Sequence, residues 1–68
     1  MSDRELKSQI IETLKNAKNP LNFEQIADTL TLKKDFWRIS VILNQLKMFG
    51  ITEEIKEPYK AVKYKYVS

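Results

Sequence analysis

Residues 43–67 read LNQLKMFGITEEIKEPYKAVKYKYV, and the apolar period changes inside them. Up to Phe49 the apolar residues fall at helical intervals; beyond Gly50 they alternate. Leu43 and Leu46 continue a row that starts upstream at Phe36 and Ile39, with steps of three, four and three. A helix turns by about 100° per residue, so this spacing keeps all four on one side. The spacing predicts a helix over about residues 34–49 whose inner face is Phe36, Ile39, Leu43 and Leu46. Gly50 stands just past its last turn, a position that favours glycine because the backbone there turns left-handed.

After Gly50, Ile51, Glu53 and Ile55 alternate with Thr52, Glu54 and Lys56. Further on, Val62, Tyr64 and Tyr66 alternate with Lys63, Lys65 and Val67. Between the two runs, EPYK (57–60) is a turn, with Pro58 at the position whose torsion it pre-sets. Alternation on both sides of a turn predicts a β-hairpin, with strands over about 51–56 and 62–67. Tyrosines and β-branched residues suit its half-buried face.

Upstream, Leu6, Ile10, Leu14 and Ala17, widened by Ile11, predict a first helix over about 2–18. Ser2 and Glu5 have capping-box spacing at its start, and the residue before Pro20 is biased away from helical torsions at its end. A second helix is expected over about 22–30. Asn22 is its N-cap with Gln25 three residues on, and Leu21 and Ile26 have the spacing of a hydrophobic staple. Phe23, Ile26, Ala27 and Leu30 make its buried stripe. Leu21 is placed for a very short strand between the helices, and Leu32 for a plug between the second and third.

The chain has 68 residues, which bounds it to a single domain over 1–68. A chain of this length buries only roughly 60% of the surface its unfolded form exposes. It has no Cys and no His, so disulfides, thiolate sites and the commonest zinc ligand and general base are absent. No Gly-rich phosphate loop occurs, and the carboxylates decorate helix surfaces rather than a cleft. The expectation is a non-enzyme with no cofactor, no metal and no small-molecule ligand. No apolar run approaches a membrane span, and the N-terminal MSDRELKSQI lacks a signal-peptide core. An intracellular, cytoplasmic location is expected.

The net charge of +3 permits nucleic-acid binding without demanding it. Its distribution says more. Residues 19–32 carry only Glu24 and Asp28, net −2, whereas 33–47 carry Lys33, Lys34, Asp35, Arg38 and Lys47, net +3. An acidic segment therefore leads into a basic one.

The order helix, short strand, helix, helix, strand, strand resembles the winged helix-turn-helix family. The resemblance is carried by NFEQIADTL (22–30), with the Ile26–Ala27 pair many such second helices have. It is also carried by LNQLKMFGI (43–51), where Leu43, Leu46, Gly50 and Ile51 form a Leu-x-x-Leu-x-x-x-Gly-hydrophobic run, and by VKYKYV (62–67). It covers roughly residues 6–67. Its motifs are packing patterns, so they bear on fold more than on function. One departure is a connection between the second and third helices about two residues longer than in tight bacterial examples. The resemblance implies an α+β winged helix-turn-helix, three helices plus a C-terminal hairpin wing, acting as a small DNA-binding transcriptional regulator.

Under that reading the third helix enters the major groove of double-stranded DNA. Lys33 and Lys34 meet phosphates at its start, Arg38 reaches guanine or phosphate, Asn44 pairs with adenine and Val41 packs on a thymine methyl. Trp37 and Ser40 complete the contact face, and Tyr59, Lys60 and Lys63 of the wing meet the backbone or minor groove. The bland reading makes the lysines solubility charges. The family also uses its first helix to dimerise, and Ile11 lies at the stripe's edge, so a homodimer is an expected partner arrangement.

A second reading starts from the outward face, which a helical wheel fills with Trp37, Val41 and Met48 flanked by Asn44 and Gln45. Trp, Met and Arg are enriched at protein interfaces, and a Trp alone offers roughly 150–250 Å². The face would then dock a protein partner. A third destination for Trp37 is the core. An RNA-associated module is a further class, since basic winged helices are reused that way.

Overall fold

The computed structural model of the protein describes residues 2–30 and 36–67. Their elements run α1 (Asp3–Asn16), β1 (Leu21–Asn22), α2 (Phe23–Leu30), α3 (Phe36–Met48), β2 (Thr52–Ile55) and β3 (Lys63–Tyr66). The result is an α+β domain of three helices against a three-stranded antiparallel sheet of order β1-β3-β2. The expected helix after Pro20, the short strand at Leu21 and the C-terminal hairpin are all present. Residues 31–35, including the anticipated plug Leu32 and the first residues expected of the third helix, lie outside the described residues.

Helix α1 starts at Ser2, whose Oγ accepts from the Glu5 backbone N–H at 3.3 Å. It ends at Asn16, two residues before the expected boundary, because Ala17 already takes extended torsions (φ −74°, ψ 134°). Its stripe Leu6, Ile10 and Leu14 is buried. At the start of α2 the capping box closes in both directions. Gln25 N–H donates to Asn22 Oδ1 at 2.8 Å, and Asn22 N–H donates to Gln25 Oε1 at 2.9 Å. Asn22 also pairs with Lys63, and Leu21 with Tyr64, so one dipeptide both ends a strand and begins a helix.

Helix α3 buries Ile39, Ile42, Leu43 and Leu46. This corrects the expected inner face at one residue. Phe36 is 46% exposed and rests its ring against Phe23, 5.5 Å between centroids, while Ile42 takes the place assigned to it. The wheel explains the exchange. Ile42 lies three residues after Ile39 and four before Leu46, inside the stripe, whereas Phe36 sits at its edge near the chain's approach to the helix. These four residues join α1 and α2 side chains in one core, on which Leu21, Ile51, Tyr64 and Tyr66 pack.

The end of α3 is a Schellman closure. Ile51 N–H donates to Leu46 C=O at 3.0 Å and Gly50 N–H to Lys47 C=O at 3.1 Å, with Gly50 at φ 75°. The chain then enters the hairpin, where Thr52 faces Tyr66 and Glu54 faces Tyr64. Cross-strand partners share a face, so the row turned towards the helices is the polar one. Thr52 is only 3% exposed, its Oγ1 without a hydrogen-bond partner, and Ile55 goes to the other side.

Two positive φ angles mark the hairpin's ends and make opposite demands. A Cβ at Gly50 would meet nothing within 4 Å, so Gly50→Ala tests backbone torsion alone. It should cost about 1 kcal/mol in denaturant unfolding. Tyr59, by contrast, has φ 62° without being glycine. Tyr59→Gly should stabilise by about 1 kcal/mol in the same measurement, and an unchanged midpoint would show that the turn holds no strain.

Candidate functional site

The packing of α3 decides what the domain presents. Its buried stripe leaves Trp37, Val41, Asn44 and Met48 on the opposite side, as the helical wheel predicts. Trp37 is 80% exposed and Met48 76%. The core destination for Trp37 is thereby excluded: its direction is opposite to Ile39 and Leu46, and neither the hairpin nor α1 covers it.

A groove runs along each side of this ridge, and Trp37 and Val41 border both. One lies against the start of α1 and is walled by Asp3, Arg4 and Lys7, with Arg38 and Gln45 on the α3 side. The other lies against the hairpin and is walled by Glu54 and Tyr64, with Ser40 and Asn44 on the α3 side. Both are open clefts rather than enclosed cavities. Among the described residues no three His, Cys, Asp or Glu side chains converge to hold a metal ion. No helix among them is long and apolar enough to cross a membrane.

The cations of α3 are engaged. Arg38 Nη2 donates to Asp3 Oδ1 at 2.7 Å and Nε to the same oxygen at 3.1 Å. Sequence reading assigned Arg38 to guanine or phosphate and had no signal for this partner, which lies 35 positions away. Lys47 Nζ reaches Glu54 Oε1 at 3.0 Å, and Lys56 Nζ lies 3.6 Å from Oε2. The hydrogen bond from Lys47 and the charge of Lys56 hold the Glu54 carboxyl below its ordinary range, against the opposing effect of burial. Burial, with the neighbouring Glu54 charge, pushes the Tyr64 hydroxyl up.

The remaining site residues divide between the ridge and the hairpin. Ser40 and Asn44 lie exposed beside the ridge, Asn44 Nδ2 resting 4.0 Å from Met48 Sδ. Lys33 and Lys34 lie outside the described residues. Tyr59 occupies the tip of the hairpin, where Lys60 N–H donates to Glu57 C=O at 3.3 Å around Pro58. With Pro58 at the second position and a positive φ at the third, this is the type II arrangement, and Tyr59 is fully exposed at 107%. Lys60 pairs with Glu57 at 3.3 Å. Lys63 sits in β3 between Asn22 and Ile55, on the sheet face away from Tyr64. The structure thus gathers Trp37, Ser40, Val41 and Asn44 in one place, puts Arg38 to one side and sets Tyr59, Lys60 and Lys63 on a separate element.

Sequence reasoning missed three features of this surface. Phe49 is 70% exposed at the end of α3, with Lys7 Nζ 5.4 Å from its ring centre. Glu54 is the carboxylate of the hairpin groove, and Asp3 is the partner of Arg38. Phe49 and Glu54 were readable in principle from the helical and strand periods; Asp3 was not, because it depends on how α1 crosses α3. No family model matches the chain, and neither a curated protein nor a solved structure does.

The Glu54 bridge gives a pH test. A carboxylate with a lowered folded-state pKa stabilises above its unfolded pKa and loses that contribution as pH falls through the folded value. Glu54→Gln should therefore lower stability slightly at neutral pH. The gap from wild type should close as pH falls below the ordinary glutamate range. A gap that persists in acid would mean that Glu54 acts through packing.

Proposed function

We propose that the chain is a winged helix-turn-helix domain that binds double-stranded DNA, with α3 in the major groove and the hairpin as the wing on the flanking backbone. It would serve as a small intracellular transcriptional regulator and not as an enzyme. The observation that carries this reading is the projection of α3. Its anchoring side chains all lie on one side, and the other stands proud between two open grooves. A major groove about 12 Å wide admits such a helix. The hairpin runs beside it with Lys56, Lys60, Lys63 and Lys65, cations of the kind that meet phosphates. Arg38, Lys47, Lys56 and Lys60 are paired, but pairs at a protein surface are weak, about 0–1 kcal/mol, so a phosphate can compete for each of them.

The salt dependence of binding tests it. With four to six phosphates contacted, log affinity for a duplex should fall against log salt with a slope of about −4 to −5. A slope near zero, or no complex at low salt, refutes the reading.

A second reading is favoured by one observation: Trp37, Val41 and Met48 are exposed on the outward side of α3, with Phe49 exposed just past its end. Monomeric proteins rarely leave more than a few hundred Å² of contiguous apolar surface bare. On this reading α3 docks a protein partner or a second copy. Trp37→Ala would then abolish the complex, with no duplex bound by either form.

A further inference from the structure

Resting on the duplex-binding reading, the inner contacts of α3 also say which base pairs suit it. We propose that α3 is matched to A·T base pairs over G·C, and that Asp3 is a positioning residue that sets this preference by restraining Arg38.

Guanine is read in the major groove by arginine or lysine, the arginine fork directing two N–H groups at O6 and N7. Arg38 is the sole arginine of α3, and two N–H groups of its fork, at Nη2 and Nε, converge on Asp3 Oδ1 at 2.7 and 3.1 Å. The contact draws the guanidinium towards α1, into the groove on the Gln45 side of the ridge. Cytosine is read through its N4 amino group, which donates to a carboxylate. The carboxylate in the other groove, Glu54, is held by Lys47 at 3.0 Å and Lys56 at 3.6 Å. Among the described residues of α3 and of the hairpin groove, the arginine fork and the carboxylate suited to a G·C pair are therefore both engaged within the protein.

The side chains that remain outermost suit A·T. Asn44 offers a donor and an acceptor on one amide, the pattern that matches adenine N6 and N7. Among the described residues its amide is engaged by Met48 Sδ at 4.0 Å, too long to hold it. Val41 and Trp37 stand beside it as apolar surface, and thymine alone presents a methyl group in that groove. Asp3 is well placed for its role, since it belongs to the first turn of α1, where a carboxylate is also favoured by the helix N-terminus.

The restraint is a bias, because exposed ion pairs are weak. Removing it should change base preference by about two- to fivefold. Binding would be measured as the ratio of affinities for two duplexes of about 20 base pairs, some two helical turns, that differ by one A·T to G·C replacement. Preferred sequences would first be selected from a randomised pool with the wild-type chain. Because both duplexes carry the same phosphates, the general gain from losing an acidic residue cancels in the ratio.

Wild type should select A·T and favour it by about tenfold at the position Asn44 reads. Asn44→Ala should remove that preference, and Asp3→Asn should shift the ratio towards G·C, while Asp3→Glu, which keeps the charge, should restore it. Replacing that thymine by deoxyuridine deletes one methyl group from the major groove and should weaken wild type about fourfold. Asp3 and Asn44 are exposed, so neither substitution removes core, and circular dichroism checks each fold. If no duplex binds at low salt, the DNA reading itself is wrong. If duplexes bind but the selected sites are G·C-rich or without preference, or Asp3→Asn leaves the ratio unchanged, DNA binding stands and the assignment of specificity falls.

Discussion

Residues 21–25 are the junction on which both halves of the structure depend. Leu21 and Asn22 pair with β3, and in the same step Asn22 begins α2 by exchanging hydrogen bonds with Gln25. Without that exchange, α2 would start with orphan N–H groups, and without the pairing β3 would have a neighbour on one side only. The dipeptide thus fixes the C-terminal hairpin relative to the helices. Leu21 packs on the core from the same place. The grooves beside α3 inherit their geometry from this junction, because the hairpin that walls one of them is held to the helical layer through β1.

Ion pairs flank an open apolar ridge on both sides. Asp3 takes Arg38 on one side, and Glu54 takes Lys47 and Lys56 on the other. The side chains left on the ridge are short, amide or apolar. In the proposed complex the lysines of the hairpin supply attraction and α3 supplies fit. This division agrees with the general one in which phosphate contacts position a protein and base contacts specify the sequence.

Local signals carried most of the fold. Gly50 announced the Schellman closure, Asn22 and Gln25 the second helix, and alternation around Pro58 the hairpin, because each depends on residues only a few positions apart. The expected inner face of α3 differs from the observed one at Phe36 and Ile42, because the four residues spaced at three, four and three already make a complete stripe and leave Ile42, which lies inside it, without a distinct signal. The strand faces were also incompletely readable. Alternation identifies two rows but not which turns inwards, and here register with β3 buries Thr52 rather than Ile55. At the candidate site, the outward set Trp37, Val41 and Asn44 followed from helical geometry alone. The partner of Arg38 did not, because an ion pair between Asp3 and Arg38 exists only once α1 and α3 have packed.

The exposure of Trp37 has an optical consequence. It is the only tryptophan of the chain, and it stands at the ridge with 80% of its surface in contact with solvent. Its emission therefore begins as that of an indole in water. Unfolding the domain changes those surroundings little, whereas anything that covers α3 changes them greatly. The intrinsic fluorescence of this protein is a poor gauge of its folding and a sensitive gauge of occupancy, with the reporter already at the centre of the surface it reports on.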